Sequence, residues 1–132
     1  MNYYGTTIND SATIAGECAA ALSGKEYLAA KFDANGKIVV CSTAGEVALG
    51  LLGAEEGTKA AGDTIAVQIK EIGLWKAGAA VAAGAAVMTD ANGKAVTATA
   101  GKFILGYALK AATAAGQVIP VQIIKAGFVP AS

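Results

Sequence analysis

Apolar and polar positions alternate with a period of two in matching places late in each half of the chain. Within 64–70, Ile65, Val67 and Ile69 point one way, and Thr64, Ala66, Gln68 and Lys70 the other. Val121 and Ile123 alternate in the same manner with Pro120, Gln122 and Ile124. Successive side chains of a strand leave opposite faces, so each run predicts a strand in a sheet with one face buried. Pro120 has no N–H for a ladder and is expected at a sheet edge or a strand start.

Hairpins are predicted upstream of both runs. Asn35-Gly36 lies between the apolar runs 27–32 and 38–41, and Asn92-Gly93 between 86–89 and 95–97. Asn and Gly both accept the positive φ of a type I′ turn, which makes this pair a hairpin signal. Strands interrupted by glycine follow at 46–52 and 102–109. Gly50 and Gly106 stand at the same place in each and predict a bulge, a sharp bend or a close backbone approach. Turns are expected at Ala61-Gly62-Asp63 and Ala115-Gly116-Gln117.

These elements repeat in order. Asp33-Ala34-Asn35-Gly36-Lys37 recurs letter for letter as Asp90-Ala91-Asn92-Gly93-Lys94. Thr43-Ala44-Gly45 matches Thr99-Ala100-Gly101, Leu49-Gly50 matches Leu105-Gly106, and Val67-Gln68-Ile69 matches Val121-Gln122-Ile123. Several matches in one order at nearly constant spacing predict two related halves, 27–70 and 82–124. They form a β domain spanning 27–124, behind an N-terminal arm of residues 1–26 and before a C-terminal tail of 125–132. The Ala/Gly runs between 77 and 87 repeat with a spacing that suits no helix, and their glycines favour turns. Residues 11–22 read as loop or one short helix. The expected fold is all-β, a small barrel or sandwich built from two related hairpin-plus-strand halves with an extended N-terminal arm.

Composition narrows the function. In 132 residues, Lys+Arg 10 balances Asp+Glu 10, and charged residues make up only 15%. Such a chain has no basic footprint for nucleic acid and no basic face for an anionic membrane. Histidine is absent, which removes the commonest general base and metal ligand. The longest charge-free apolar stretch, 77–88, is shorter than the ~20 residues of a membrane-spanning helix. The N-terminus shows no signal-peptide pattern, so synthesis and use in the cytoplasm are expected. Cys18 and Cys41, with no histidine to join them, make no standard zinc site and read as small buried thiols.

Candidate chemistry is thin. Asp33 and Asp90 sit inside the hairpin turns, where an Asp side chain usually stabilises the turn itself. Glu55-Glu56-Gly57 reads as a solvated loop. No phosphate-binding loop, dinucleotide fingerprint or nucleophile elbow occurs. Lys37 and Lys94 follow tight turns, as the modified lysine of lipoyl and biotinyl carriers does, but neither has the flanking residues of those carriers. The aromatic residues that suggest contacts are Tyr3 and Tyr4, on a polar terminal segment, and Phe128 near the other end. Trp75, between the halves, reads as core or as an interface anchor. No catalytic residue, metal or cofactor is expected.

The succession of motifs over 47–123 resembles the small capsid decoration, or cement, proteins of tailed bacteriophages. It is carried by Ala61-Gly62-Asp63-Thr64-Ile65-Ala66-Val67-Gln68-Ile69, Gly73-Leu74-Trp75-Lys76-Ala77-Gly78-Ala79 and Ala83-Gly84-Ala85-Ala86-Val87. Asn92-Gly93-Lys94-Ala95-Val96, Ile104-Leu105-Gly106-Tyr107-Ala108-Leu109 and Gly116-Gln117-Val118-Ile119-Pro120-Val121-Gln122-Ile123 complete it. The resemblance implies a non-enzymatic virion protein, assembled in the host cytoplasm, that binds the outer surface of the head. It further implies a homotrimer at local three-fold positions, clamping neighbouring major capsid protein subunits, with an N-terminal arm reaching a neighbour. Tyr3, Tyr4, Trp75 and Phe128 are the contact residues expected toward the capsid or between subunits. The alternative is a head-fibre or tail-associated β module binding a host surface glycan.

Overall fold

The computed structural model describes residues 12–53 and 59–130. Among these there is no helix. The first half forms β1 (Thr13–Glu17), β2 (Ala29–Phe32), β3 (Ile38–Val40), β4 (Gly50–Leu52) and β5 (Thr64–Gln68). The second forms β6 (Glu71–Lys76), β7 (Ala86–Thr89), β8 (Ala95–Thr97), β9 (Phe103–Ala108) and β10 (Val118–Phe128). Each set makes its own antiparallel sheet, in the orders β1-β5-β4-β2-β3 and β6-β10-β9-β7-β8. The two orders are the same once each strand is matched to its counterpart. Each sheet keeps two edge strands, so neither closes into a barrel; the fold is an all-β sandwich-like pair of sheets.

The first strand of each sheet lies outside the repeat as the sequence marks it. Thr13–Glu17 falls within the stretch expected as arm, loop or short helix, yet it pairs residue for residue with β5. Its counterpart β6 pairs with β10 in the same way. Thr13 and Glu17 are the polar residues of β1, Glu71 and Lys76 those of β6, and the apolar alternation in each is broken by glycine, Gly16 or Gly73. At the other end, β10 runs on to Phe128, past the expected domain boundary at 124.

Both hairpins form as expected, with a different turn. Only Gly36 and Gly93 have positive φ, +75° and +78°, while Asn35 and Asn92 do not. Gly36 N–H donates to Asp33 O (3.1 Å), and Asp33 N–H donates to Lys37 O (2.7 Å). Asp33 Oδ1 accepts the N–H groups of Asn35 (2.8 Å) and Lys37 (2.9 Å). Asp90 holds Asn92 and Lys94 at the same distances. The aspartate locks a type I turn that ends in a left-handed glycine, so the type I′ expectation is corrected by a side chain outside the Asn-Gly pair.

The two glycines inside the late strands mark close backbone approach. A Cβ on Gly50 would strike the carbonyl of Gln68, and one on Gly106 the carbonyl of Gln122. Pro120 is neither at an edge nor at a strand start: it is third in β10, a central strand, opposite Leu74. Its carbonyl accepts Leu109 N–H (2.9 Å). Residue 109 lies just beyond β9, so the donor that proline lacks is missed only where the neighbouring strand has ended.

Two apolar clusters hold the sheets. The smaller is made by the first half alone, from Cys18, Leu22, Ala30, Ile38, Leu52, Ile65 and Val67. The larger joins both halves: Trp75, Leu105, Ile119 and Val121 of the second pack with Ala29, Cys41, Ala48 and Leu51 of the first. Thus β2 and β4 send side chains to both clusters, and the first sheet is buried on two sides near its centre. Backbone bonds fasten the halves further. Gly45 N–H donates to Thr89 O (2.8 Å), Phe103 N–H to Gly45 O (3.1 Å), and Lys76 N–H to Tyr27 O (2.8 Å).

Candidate interaction surface

The second hairpin turn is where sequence, packing and position meet. Gly93 O accepts both Ala29 N–H (2.8 Å) and the indole Nε1–H of Trp75 (2.8 Å). Trp75 is fully buried; burial of an indole requires a partner for its N–H, and this carbonyl supplies it. Its side chain therefore belongs to the chain's own core and presents no surface to a partner. Phe128, in contrast, is 59% exposed at the end of β10 and meets Phe103 edge-to-face, ring centroids 5.6 Å apart. Tyr3 and Tyr4 lie outside the described residues, as does Glu55-Glu56-Gly57.

Among the described residues no three His, Cys, Asp or Glu side chains gather as a metal site would require. Cys18 and Cys41 are both buried and unbridged, one in each cluster. Burial, with Glu46 nearby adding to it, pushes the Cys41 thiol up to about 12, so it stays protonated and unreactive. Lys37 pairs with Glu17 (3.0 Å) on the surface. Among the described residues no helix is long and apolar enough to cross a membrane.

An open groove of about 560 Å³ lies where the halves meet, lined by Lys31, Phe32, Glu46, Val47, Leu49 and Lys125. Most of its polar groups already have partners. Lys31 Nζ bonds Glu46 Oε1 (2.8 Å) and Ser42 Oγ (3.2 Å). The N–H groups of Ser42 (2.7 Å) and Thr43 (2.8 Å) donate to Glu46 Oε2. Burial alone would raise the Glu46 carboxyl, but Lys31 and these two amides outweigh it and hold it below the usual carboxylate range. Lys125 sits where the β9–β10 register shifts, with φ +46°, and burial lowers its ammonium below the usual lysine range. The groove is a fastened seam with an apolar lip.

The surface the residue-by-residue reading passes over is the outward face of the second sheet. Ile72 and Leu74 of β6, Val118 and Ile124 of β10, and Leu109 after β9 are all large, aliphatic and exposed. In β6 buried Gly73 stands between Ile72 and Leu74, and no motif pointed to this face.

Family comparison decides what kind of protein carries this surface. Residues 29–123 match the family model described as phage cement protein. The chain belongs to that family. The match covers well over half the sequence and runs from β2 into β10, so it takes in both sheets. No curated protein matches the chain. Among solved structures it is similar to the N base of the head fibre of bacteriophage phi29, with a TM-score of 0.63 and 16% identity. That likeness covers 87% of this chain and 95% of the other, and at such identity it shows a shared fold. The cement protein is thus an all-β, phage structural protein associated with the virion.

Proposed function

We propose that this cement protein binds the outer surface of a tailed-phage head and stabilises the lattice of the major capsid protein, acting as a homotrimer without any catalytic step. The observation that carries the reading is the family match across both sheets. The chemistry supports it: a neutral, histidine-free chain whose polar clusters are fastened to one another can act through contact area alone. Co-sedimentation with expanded and unexpanded heads of the parent phage tests it. Saturable binding to expanded heads is the expected result, and no binding to either form overturns it.

The fold shared with a phage head-fibre base favours one second reading, a head-fibre or tail-associated module that binds a host surface glycan. In that case a glycan array would show saturable, sugar-specific binding while heads alone would not retain the protein. The exposed aliphatic face argues for protein contact, since sugar sites rely on aromatic and polar groups together.

A further inference from the structure

The two sheets carry the same cross-strand rows, and one of these rows is covered over part of its length in the first sheet only. In the first sheet Thr13, Gln68, Leu51 and Ala29 lie side by side across β1, β5, β4 and β2. In the second, Ile72, Gln122, Tyr107 and Ala86 occupy the same row across β6, β10, β9 and β7. Leu51 and Ala29 are 1% and 0% exposed because the second half's core lies on them. Tyr107 and Ala86 have no such cover and remain half-exposed.

The next row sharpens the contrast. Ala15 pairs with Ala66 in the first sheet, and Leu74 pairs with Pro120 in the second, beside Leu109. Where this fold faces water it uses Thr13, Ala15 and Thr64; the second sheet has Ile72, Leu74 and Val118 at those positions. Small or polar residues satisfy the strand geometry there, so the aliphatic ones mark a surface that is withdrawn from water.

We infer that the outward face of the second sheet, centred on Ile72, Leu74, Pro120 and Gln122, packs against a second copy of this chain. The argument for that occupant lies in the first sheet, where a unit of the same fold covers Leu51 and Ala29 of that row and reaches Gln68, while Thr13 at its end stays exposed. Gln68, in the centre of the covered row, donates through Nε2 to Ile72 O (2.7 Å) of the unit that covers it, and to Lys70 O (3.0 Å). Gln122, its counterpart, makes no side-chain hydrogen bond among the described residues. An amide both donates and accepts, so it is complementary to its own copy. The two rows hold no charge, with Lys76 only at their border, so two copies meet without like-charge repulsion. Pairing of β6 edge to edge is hindered, because Ile72 O and Lys76 N–H on its free side are bonded to Gln68 and Tyr27 of the first half. This deepens the proposed function by naming the surface between copies, and it can be tested without heads.

The experiment is sedimentation equilibrium on the purified full chain alone, up to its highest soluble concentration. The expected mass is a whole multiple, above one, of 13.0 kDa. The double variant Ile72→Thr with Leu74→Ala gives the second sheet the residues that the first already carries, and it is expected to fall to a single 13.0 kDa copy with unchanged circular dichroism. Leu74→Glu should do the same, while Ala15→Glu, at the matching position of the first sheet, should leave assembly intact. A wild-type chain that stays monomeric overturns the inference, and so do variants that stay assembled. Loss of head binding by Leu74→Glu in a monomeric wild-type background would give the face to the capsid protein instead. Head binding by the wild type decides the functional proposal separately.

Discussion

Asp33-Ala34-Asn35-Gly36-Lys37 and Asp90-Ala91-Asn92-Gly93-Lys94 are the same five residues in the same turn, yet they do different work. Both are closed by the aspartate Oδ1 and by a left-handed glycine. Around Gly36 there is open space, whereas a Cβ on Gly93 would lie 2.6 Å from Val40 Cγ1. The carbonyl of Gly93 also holds Trp75 and Ala29. Identical local sequence thus gives identical local structure, and the neighbour decides whether the turn is a solvent loop or a joint between halves. The cores differ by the same logic. Trp75 stands where the first half has Gly16, and over Gly16 lies Ile38, whose counterpart is Ala95. One half fills its core with a strand indole, the other with a hairpin aliphatic.

The largest effect expected from breaking this contrast comes from Trp75→Ala. It empties the core shared by both halves and leaves Gly93 O with one donor, and should cost about 3–5 kcal/mol. Urea unfolding read by far-UV circular dichroism measures it, and a loss below about 1 kcal/mol would mean that the halves do not depend on the indole.

Glycine replacement separates the two turns next. Gly36→Ala meets only the penalty of a left-handed backbone, about 1–2 kcal/mol. Gly93→Ala meets that penalty and the clash with Val40, and should be worse by about 1–3 kcal/mol. Equal midpoints in urea for the two variants would refute the joint.

The smallest effect is electrostatic and concerns Glu46, which occupies the position of Lys102 in the other half. Its carboxyl is held below the unfolded value, so its stabilisation is fully present above the ordinary carboxylate pKa. It is lost as the pH falls through the lowered folded value. Thermal midpoints recorded from neutral to acid pH should therefore fall less steeply for Glu46→Gln than for the wild type. Parallel profiles would show that the Lys31–Glu46 pair (2.8 Å) contributes nothing to the seam.

Much of the fold was legible because its signals are local. Asn-Gly between apolar runs announced both hairpins, and the alternation of Ile65 with Val67 and of Val121 with Ile123 announced the inner faces of β5 and β10. Gly50 and Gly106 announced the backbone approach that each sheet needs. β1 and β6 were missed because a glycine breaks the alternation in each. The turn type was misjudged because Asp33 and Asp90, outside the Asn-Gly pair, control it. Of the contact residues expected, Trp75 went into the core once Gly93 O was in reach of its N–H. The face of Ile72, Leu74 and Val118 escaped notice because Val118 lies far from the other two in sequence and joins them only across the paired strands β6 and β10.

By itself the sequence determined the two halves, the all-β class and the absence of histidine chemistry, since composition, turn residues and period-two patterning act within a few residues of the chain. Tertiary structure alone decided which copy of each repeated element is covered. Burial depends on what lies across the sheet, and two stacked units that share one topology must leave an inner unit enclosed and an outer face open.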